Sequence, residues 1–479
     1  MVTKLLGLWS IFLFVALVNQ CHSLSLNPIT KSASLASDTS QPYHFVILGG
    51  TGRIGTAVAT HILRRSPASK ITLAGRDVER GRNAVSEVVR CCSSNPQNDQ
   101  ITFKCVDWRD NDAFVPLIEK CDCVIHTAGP YLEEEPTPLR AAISAMSSCK
   151  AYVDVSDPLD FIDKSLAMSD DAVASGTSAL VAAGAFPGMS NVLAMEAAKS
   201  LPPSSVNKVR DVRFNYFTAG LGGSGDVNLY ITNLGFGEPM VQYDKGVLRF
   251  FKALSGLLLG KVDFFLQDNE ESATNEGFGN DMAKSRIGRQ TVFSWPFPEA
   301  ATVAKELNIS GDSSAAMGTA PDAWNAMLGL LVSIVPRSLW RSKRFSQFMA
   351  DFSQPLVKAT DALLKITSPD NVGETHAMRV DVTGEDGNAV SIVQAHESFR
   401  QCVGQSCAEF ALDLLEFPSP GVQLPEQRYR DNEPRKRIIK RLTSTPGTIA
   451  FTGPTLVKTA PPPSDMEEAI QKANDAEVA

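Results

Sequence analysis

A glycine-rich segment at the end of a short apolar run most constrains this chain. Residues 45–55 read FVILGGTGRIG, in which Gly50, Gly52 and Gly55 have the spacing G-x-G-x-x-G. A helix-like stretch, residues 56–64, follows at once. Between a strand and a helix, such glycines allow a tight turn, a close approach of the backbone to a diphosphate, and close packing of the helix on the strand. The sequence therefore predicts a dinucleotide-binding loop with phosphate at the helix N-terminus.

The residues after the next predicted strand indicate which nucleotide is bound. NAD sites usually place an acid about 20 residues after the glycines, where it holds the ribose 2′-hydroxyl. Here the strand 70–74 is followed by Arg76 and Asp77, with Arg80 close behind. A guanidinium can hold a 2′-phosphate through paired hydrogen bonds. We predict NADP with Arg76 as the main contact; NAD stays open, because Asp77 could bind the ribose while the arginines remain solvated charges.

Apolar strands alternate with amphipathic helices over residues 43–195. The predicted strands are 44–49, 70–74, 101–106, 122–127, 151–155 and 178–183. This alternation predicts an α/β fold, a Rossmann doubly wound parallel sheet that carries an NADP-binding domain. Ligands of such sheets bind beyond the carboxyl ends of the strands, so the residues just after each strand are the candidate site residues.

The third and fourth strands end in candidate cofactor contacts. Asp107 follows the third strand, where a carboxylate beside Trp108 could hold the adenine ring. The small-residue turn after the fourth strand lets a ring approach the backbone and should border the nicotinamide; it comprises Ala128, Gly129 and Pro130.

Substrate and catalytic candidates come from the same strand ends. Tyr131 and His126 are the two candidate catalytic residues, although a histidine in a buried strand is more often a packed core residue than an acid catalyst. The predicted substrate pocket consists of Tyr131, Asp154, Pro187 and Gly188.

Several motifs in order, GGTGRIG, AGRD, TAGPY, YVDVSD and GAFPGMSN, make residues 43 to about 195 resemble the saccharopine dehydrogenase-like oxidoreductases. The resemblance implies NADP or NAD binding through Gly49, Gly50, Gly52, Arg53 and Ile54, and we add Thr51 and Gly55 of the same loop. In relatives, Gly-Glu often stands where this chain has Asp157-Pro158, and an acid often stands at Phe186. Because of these departures, the amino-acid substrate of saccharopine dehydrogenases is not carried over to this chain.

The remaining chain predicts a second domain. Val209 to Phe217 alternates like a half-buried strand, and further strands at about 290–297 and 376–383 predict an open antiparallel sheet. Residues 196–400 are thus expected to form an α+β substrate and dimerisation domain, which makes a homodimer the expected state. The resemblance implies that residues 401–445 return to the first domain. Residues 446–479 are predicted to be a largely disordered tail.

The N-terminus resembles a targeting sequence. Residues 1–22 carry Lys4, an apolar run and a short polar stretch, which is signal-peptide architecture, with an uncleaved anchor as the alternative. Residues 23–42 are rich in serine and suit a transit-like or disordered spacer. Together they are expected to direct the chain into the secretory pathway and, as a bipartite presequence, into a plastid.

Charge and composition exclude other partners. The net charge of −8 disfavours nucleic acid, and the six histidines never fall at metal-ligand spacing, so we expect no metal. A basic, tryptophan-containing segment, residues 337–344, follows an apolar stretch and could lie at a membrane surface. The alternative is a core helix followed by a solvated basic turn.

The sequence favours an NADP-dependent oxidoreductase that transfers hydride at a carbon held between the two domains. A short-chain dehydrogenase needs a Tyr-x-x-x-Lys pair, and none of the seven tyrosines has lysine four residues on. Two alternatives stay open: a non-catalytic NADP-binding redox sensor and a lipid-associated scaffold. The substrate is expected to be a small molecule, and the apolar second domain favours an apolar one.

Overall fold

The computed structural model describes residues 42–92, 100–145, 149–203, 209–219, 226–251, 256, 258–265, 287–320, 322–367 and 375–458. The predicted signal peptide, nearly all of the predicted spacer and the end of the predicted tail lie outside these residues. Within the described part of the chain, no helix is both long enough and apolar enough to cross a bilayer.

The first sheet is parallel throughout and has seven strands. They are β1 (His44–Leu48), β2 (Lys70–Gly75), β3 (Ile101–Cys105), β4 (Cys123–His126), β5 (Ala151–Asp154), β6 (Ser178–Leu180) and β15 (Gly421–Gln423). Their order is β15-β6-β5-β4-β1-β2-β3. Apart from β15 this is the order of the doubly wound Rossmann fold, so the predicted fold class is confirmed.

Helices cover both faces of this sheet. They are α1 (Arg53–Arg65), α2 (Val78–Cys91), α3 (Asn111–Ile118), α4 (Thr137–Ser144), α5 (Leu159–Leu166), α6 (Ser169–Ser175) and α7 (Met189–Lys199). Two separate apolar clusters contain residues of the first sheet and its helices, as expected for a sheet that is buried on both sides. The Asp77 carboxylate caps α2 by accepting a hydrogen bond from the Arg80 amide at 3.0 Å.

The second sheet also has seven strands. They are β7 (Val209–Ala219), β10 (Leu258–Asp263), β11 (Arg289–Ser294), β12 (Ser313–Ala320), β13 (His376–Gly384), β14 (Asn388–His396) and β16 (Thr448–Lys458), and β8 (Met240–Asp244) and β9 (Val247–Phe251) form a separate hairpin. The order is β10-β11-β12-β7-β13-β14-β16. Because β7 and β12 pair in parallel, the predicted antiparallel sheet is wrong at this pair. The long connection between these two strands provides the crossover that parallel neighbours need.

The predicted tail begins too early. Residues 448–458 form β16, which pairs antiparallel with β14, so this part of the predicted disordered segment is ordered. Pro454 obscures the strand in the sequence, since proline cannot donate to a ladder. An edge position tolerates it, and β16 lies at the end of the sheet.

The other helices are α8 (Asp226–Gly235), α9 (Glu299–Leu307), α10 (Asp322–Ile334), α11 (Arg337–Trp340), α12 (Lys343–Thr367), α13 (Phe399–Glu416), α14 (Pro425–Arg428) and α15 (Asn432–Thr443). Helix α13 returns to the first domain and packs on α1. A Cβ on Gly404 would lie 2.6 Å from the Ala57 Cβ, so glycine is required for this close approach.

A buried ion pair joins the same two helices. The Glu409 carboxylate lies 2.7 Å from His61 Nε2 and 2.8 Å from Arg65 Nε. Burial alone would raise the pKa of Glu409, but the hydrogen bond from His61 and the charges of His61 and Arg65 outweigh it and lower that pKa. The helix that carries the glycine loop is thus held by a charge on the returning segment.

We expect Glu409→Ala to lower the free energy of unfolding by ~3–5 kcal/mol, because it removes the carboxylate that pairs with His61 and with the buried cation of Arg65. Denaturant unfolding measures this loss. Glu87→Ala, the same change on an exposed face of α2, is the control and should cost less than about 0.5 kcal/mol. Equal effects of the two substitutions would contradict a structural role for the ion pair.

Candidate active site and nucleotide pocket

At two positions of the loop between β1 and α1, the neighbouring backbone lies so close that only glycine fits. Gly49 has φ +73°, and a Cβ there would lie 2.8 Å from the Ala128 backbone nitrogen. A Cβ on Gly55 would lie 2.5 Å from the Gly49 carbonyl oxygen. Helix α1 begins after Gly52 with no acidic residue in its first turn and no side-chain cap, so its N-terminal amides are available to an anion.

A pocket of about 700 Å³ lies over this helix end. The predicted cofactor contacts that line it are Gly49, Thr51, Gly52, Arg53, Ile54, Gly55, Arg76, Asp107, Ala128, Gly129 and Pro130. Gly50 lies beneath the loop instead, where a Cβ would meet the Ile47 carbonyl oxygen at 2.8 Å. The loop glycines and the residues around the pocket therefore fit a dinucleotide.

Positive charge dominates the pocket. Its described lining residues include one acid, Asp107, and five arginines: Arg53, Arg76, Arg80, Arg109 and Arg400. Arg109 was not among the predicted contacts. Its guanidinium carbon lies 4.1 Å from the centroid of the Trp108 ring, and its nearest guanidinium nitrogen lies 3.6 Å from the Asp107 carboxylate. Such a set of cations suits a ligand with several phosphates, as NADP has.

A second cavity, of about 280 Å³, adjoins the nucleotide pocket. The residues common to both are Ile54, Thr127, Gly129, Pro130 and Phe399. They include the turn after β4 that was predicted to border the nicotinamide. Residues from the ends of β5 and β6, from the second sheet and from α8 and α10 form the rest of the wall, so this inner cavity lies between the two sheets.

Aromatic rings form much of the inner cavity. Phe186 stacks on Tyr216 with centroids 4.1 Å apart and an interplanar angle of 15°. Rings of Phe297, His376 and Phe399 surround Phe186 at 5.0–5.2 Å. The aromatic lining residues are Phe186, Phe297 and Phe399 of this group, together with Tyr131, Phe236, Phe293 and Trp295. The cavity therefore suits an apolar ligand.

Ionisable groups behind this wall are held neutral. Burial raises the pKa of Glu299 to about 8, although Tyr216, which donates a hydrogen bond to it, acts in the opposite direction. Burial also lowers the pKa of His376 to about 3. At neutral pH both groups are therefore uncharged, so neither adds a charge behind the cavity wall.

Asp157 is the single carboxylic acid among the described lining residues, and these include no lysine, arginine or histidine. Burial raises its pKa to about 7, and the charges of Glu238 and Asp154 add to this effect. The carboxyl can therefore hold a proton near neutral pH. In the sequence, Asp157 stands out only as a departure from the family pattern; its position just after β5 was the available signal.

Of the two catalytic candidates, only Tyr131 lines the cavity. Its backbone is left-handed, with φ 59°, and its hydroxyl donates to the His126 carbonyl oxygen at 2.6 Å. His126 lies behind it, fully buried, with Nδ1 3.2 Å from the Tyr152 hydroxyl. Burial, with Arg109 nearby, lowers the pKa of His126 to about 3. His126 is therefore a neutral core residue and cannot reach a ligand.

The predicted substrate pocket is corrected at two further residues. Pro187 lines the cavity, but Asp154 and Gly188 do not. Asp154 is fully buried and accepts hydrogen bonds from the amides of Ser156 and Ala182, so it stabilises the loops after β5 and β6. A Cβ on Gly188 would lie 2.1 Å from the Gly184 carbonyl oxygen, so this glycine serves the turn.

Comparisons with known proteins agree with this geometry. Residues 45–180 match the family model of the saccharopine dehydrogenase NADP binding domain. The apo histidine-tagged saccharopine dehydrogenase (L-Glu forming) from Saccharomyces cerevisiae is similar in structure, with a TM-score of 0.55 and 12% identity over 87% of this chain and 100% of that chain. Pen from Bacillus thuringiensis has a TM-score of 0.25 and 17% identity over 29% of this chain and 51% of that one. No curated protein sequence matches the chain.

Residues 45–180 are therefore similar to the NADP-binding domain of the saccharopine dehydrogenase family, and NADP is the cofactor that this match supports. The predicted resemblance and the predicted cofactor are confirmed over these residues. At 12% identity the similarity to the yeast enzyme shows a shared fold and says nothing about the ligand of the inner cavity.

We expect Arg76→Ala to weaken NADPH binding by about tenfold or more, since a charge-assisted hydrogen bond contributes ~1.5–3 kcal/mol, and to leave NADH binding unchanged. Titration of NADPH fluorescence measures both affinities. Arg82→Ala is the control, because Arg82 is exposed on α2, the helix that follows Arg76, and is not among the residues that line the pocket. An unchanged NADPH preference in Arg76→Ala would remove Arg76 from this role.

Proposed function

We propose that this protein is an NADP-dependent oxidoreductase that reduces an uncharged, apolar carbonyl or conjugated compound in the inner cavity. The observation that carries the proposal is the wall shared by the arginine-rich nucleotide pocket and the apolar cavity. When bound, NADPH supplies the hydride. The protein's own part is to hold the two ligands together, exclude water and provide a proton.

The polar groups of the inner cavity support an uncharged substrate. Asn325 accepts from the Thr319 amide at 3.1 Å and donates to the Thr319 carbonyl oxygen at 2.6 Å. The Thr319 hydroxyl donates to the Thr218 carbonyl oxygen at 2.8 Å. These groups therefore satisfy one another. A ligand carboxylate would have no cation among the described lining residues, and burying it unpaired would cost several kcal/mol.

Asp157 is the proposed proton donor. A hydride delivered to a carbonyl carbon leaves a negative charge on oxygen, which a proton from the Asp157 carboxyl would neutralise to give an alcohol. This requires Asp157 to be protonated before the reaction. Its raised pKa, about 7, keeps a large fraction of the carboxyl protonated at neutral pH.

Consumption of NADPH with matched pairs of substrates tests the substrate class. We expect alkyl aldehydes and enones to be reduced, and analogues of the same length that end in a carboxylate to be at least about 100-fold poorer, since the unpaired charge costs several kcal/mol. Saccharopine with NADP should give no reaction. Preferential turnover of the carboxylates would overturn the proposal, and NADPH binding without turnover of any compound would favour the redox sensor.

A substitution that fills the inner cavity provides a second test of where the reaction takes place. We expect Leu328→Trp to abolish turnover of the apolar substrates and to leave NADPH affinity unchanged, because Leu328 lines the inner cavity and not the nucleotide pocket. Leu330→Trp is the matched control on the exposed side of the same helix and should retain activity. Full activity of Leu328→Trp would show that the reaction takes place elsewhere.

The pH dependence of reduction tests Asp157. Because the protonated carboxyl is the active form, the rate should be highest below the pKa and should fall as the pH rises through about 7. Asp157→Asn should reduce the rate by about 10²–10⁴-fold and remove this pH dependence, with unchanged NADPH affinity. Glu238→Gln should move the fall to lower pH, since the charge of Glu238 raises the pKa of Asp157. A normal pH profile in Asp157→Asn would exclude it as the donor.

A further inference from the structure

We propose that the outer side of α10, α11 and α12 docks on an anionic lipid bilayer. Five large apolar side chains define this surface, which we call the outer apolar face: Leu330, Ile334, Leu339, Phe348 and Phe352. They are between 37% and 58% exposed. Several exposed apolar groups on helices that share one buried cluster mark an interaction surface more often than an isolated group does.

The inner sides of the same helices are already occupied. Leu331, Val332, Trp340 and Met349 form one buried cluster with Phe236, and each of the three helices contributes to it. This cluster fixes the helices against one another. The residues of the outer apolar face therefore contribute little to the core, although their burial elsewhere would be favourable.

The exposed residues form stripes along the helices. Leu330 and Ile334 are four residues apart on α10, and Phe348 and Phe352 are four apart on α12, so each pair shares one side of its helix. The two phenylalanine rings lie 6.2 Å apart and nearly parallel. Leu339 is exposed on α11, between the two pairs in sequence.

The charges beside these stripes favour an anionic surface. Residues 323–350 contain no acid and four cations, Arg337, Arg341, Lys343 and Arg344, in a chain of net charge −8. Arg341, Lys343 and Arg344 are exposed. The Arg341 side chain donates to the Gly237 carbonyl oxygen at 2.8 Å, and Lys343 lies 2.7 Å from Glu133, which is itself exposed. The neighbouring acid Asp351 accepts from Gln347 at 2.8 Å.

Cations beside exposed Leu and Phe side chains are the pattern of helices that lie in a membrane interface. Each Lys or Arg near an anionic leaflet strengthens binding by about fivefold. A second copy docked through the same face would set the cations of the two copies against one another, whereas a bilayer offers phosphates and hydrocarbon together. The chemistry of the face therefore fits an anionic bilayer best.

Helix α10 also connects the face with the inner cavity. Leu328, Gly329 and Val332 line the cavity, while Leu330 and Ile334 are exposed on the other side of the same helix. An apolar substrate dissolved in the bilayer would thus lie one helix away from its binding site. This link between the bilayer and the cavity rests on the proposed function, whereas the docking itself does not.

Hydrogen exchange of the full-length protein tests the docking. Vesicles of phosphatidylcholine with phosphatidylglycerol should slow exchange in peptides that cover residues 328–352, and vesicles of phosphatidylcholine alone should have much less effect. This readout is local, so attachment of the vesicle through the N-terminal apolar run would not produce it. High salt should weaken the protection, because it screens the contribution of the cations.

Three variants separate the contributions of the apolar side chains and of the cations to vesicle binding. Ile334→Asn with Phe348→Asn should reduce vesicle affinity at this face by about tenfold or more, and Arg344→Glu should reduce it by about tenfold for anionic vesicles only. Leu456→Asn, at an exposed leucine on the edge strand β16, is the matched control and should have no effect.

Two results would overturn the proposal. One is unchanged protection of residues 328–352 in the Ile334→Asn, Phe348→Asn variant. The other is absence of protection by vesicles together with a dimer, seen by light scattering, that this variant dissociates, because the face would then be an interface between copies. NADPH binding is measured in the same samples; its loss would concern the proposed function and not the docking.

Discussion

The close approach between the glycine loop and the turn after β4 is the constraint on which the site depends. A side chain on Gly49 would collide with Ala128, so the two backbones can touch only because Gly49 has none. This contact fixes the phosphate-binding loop against the turn that separates the nucleotide pocket from the inner cavity. The same contact therefore positions both the phosphate-binding loop and the wall of the inner cavity.

Burial then determines which charges the site retains. The nucleotide pocket keeps its arginines near the surface, where they remain charged at little cost and can meet phosphates. Deeper in the molecule, Glu299 and His376 are neutral at pH 7 because desolvation penalises their charged forms. The adjoining pocket and cavity thus differ in charge, since the first is lined by arginines and the described lining of the second includes no cation, which orients a ligand that has phosphates at one end only.

Sequence patterns predicted the first domain well because its determinants are local. The glycine spacing, the arginine after β2 and the small residues after β4 each reflect a requirement of one strand end, and of these residues all but Gly50 line the nucleotide pocket. The inner cavity depends instead on residues far apart in sequence. Phe186, Tyr216 and Phe399 meet only after the second sheet and α13 have packed, so no local pattern could reveal their stacking.

The difference between local and long-range determinants also explains why some predicted site residues lie outside the cavity. Asp154 and His126 occupy the expected strand ends, but the alternation of side chains along a strand directs them into the core. Asp157, three residues beyond Asp154, lies where the loop turns toward the cavity. Likewise, the edge position of β16 could not be known until its partner β14 was in place.

The two departures from the family pattern are physically linked. Phe186 and Asp157 both line the inner cavity, and Glu299 contacts Tyr216, on which Phe186 stacks. An acid at position 186 would add a further carboxylate beside these groups, and like charges in a buried site oppose ionisation of one another. With Phe186 in that place, Asp157 remains the single carboxyl of the described cavity wall. Among the described lining residues it is then the one carboxyl that a ligand in the cavity can meet.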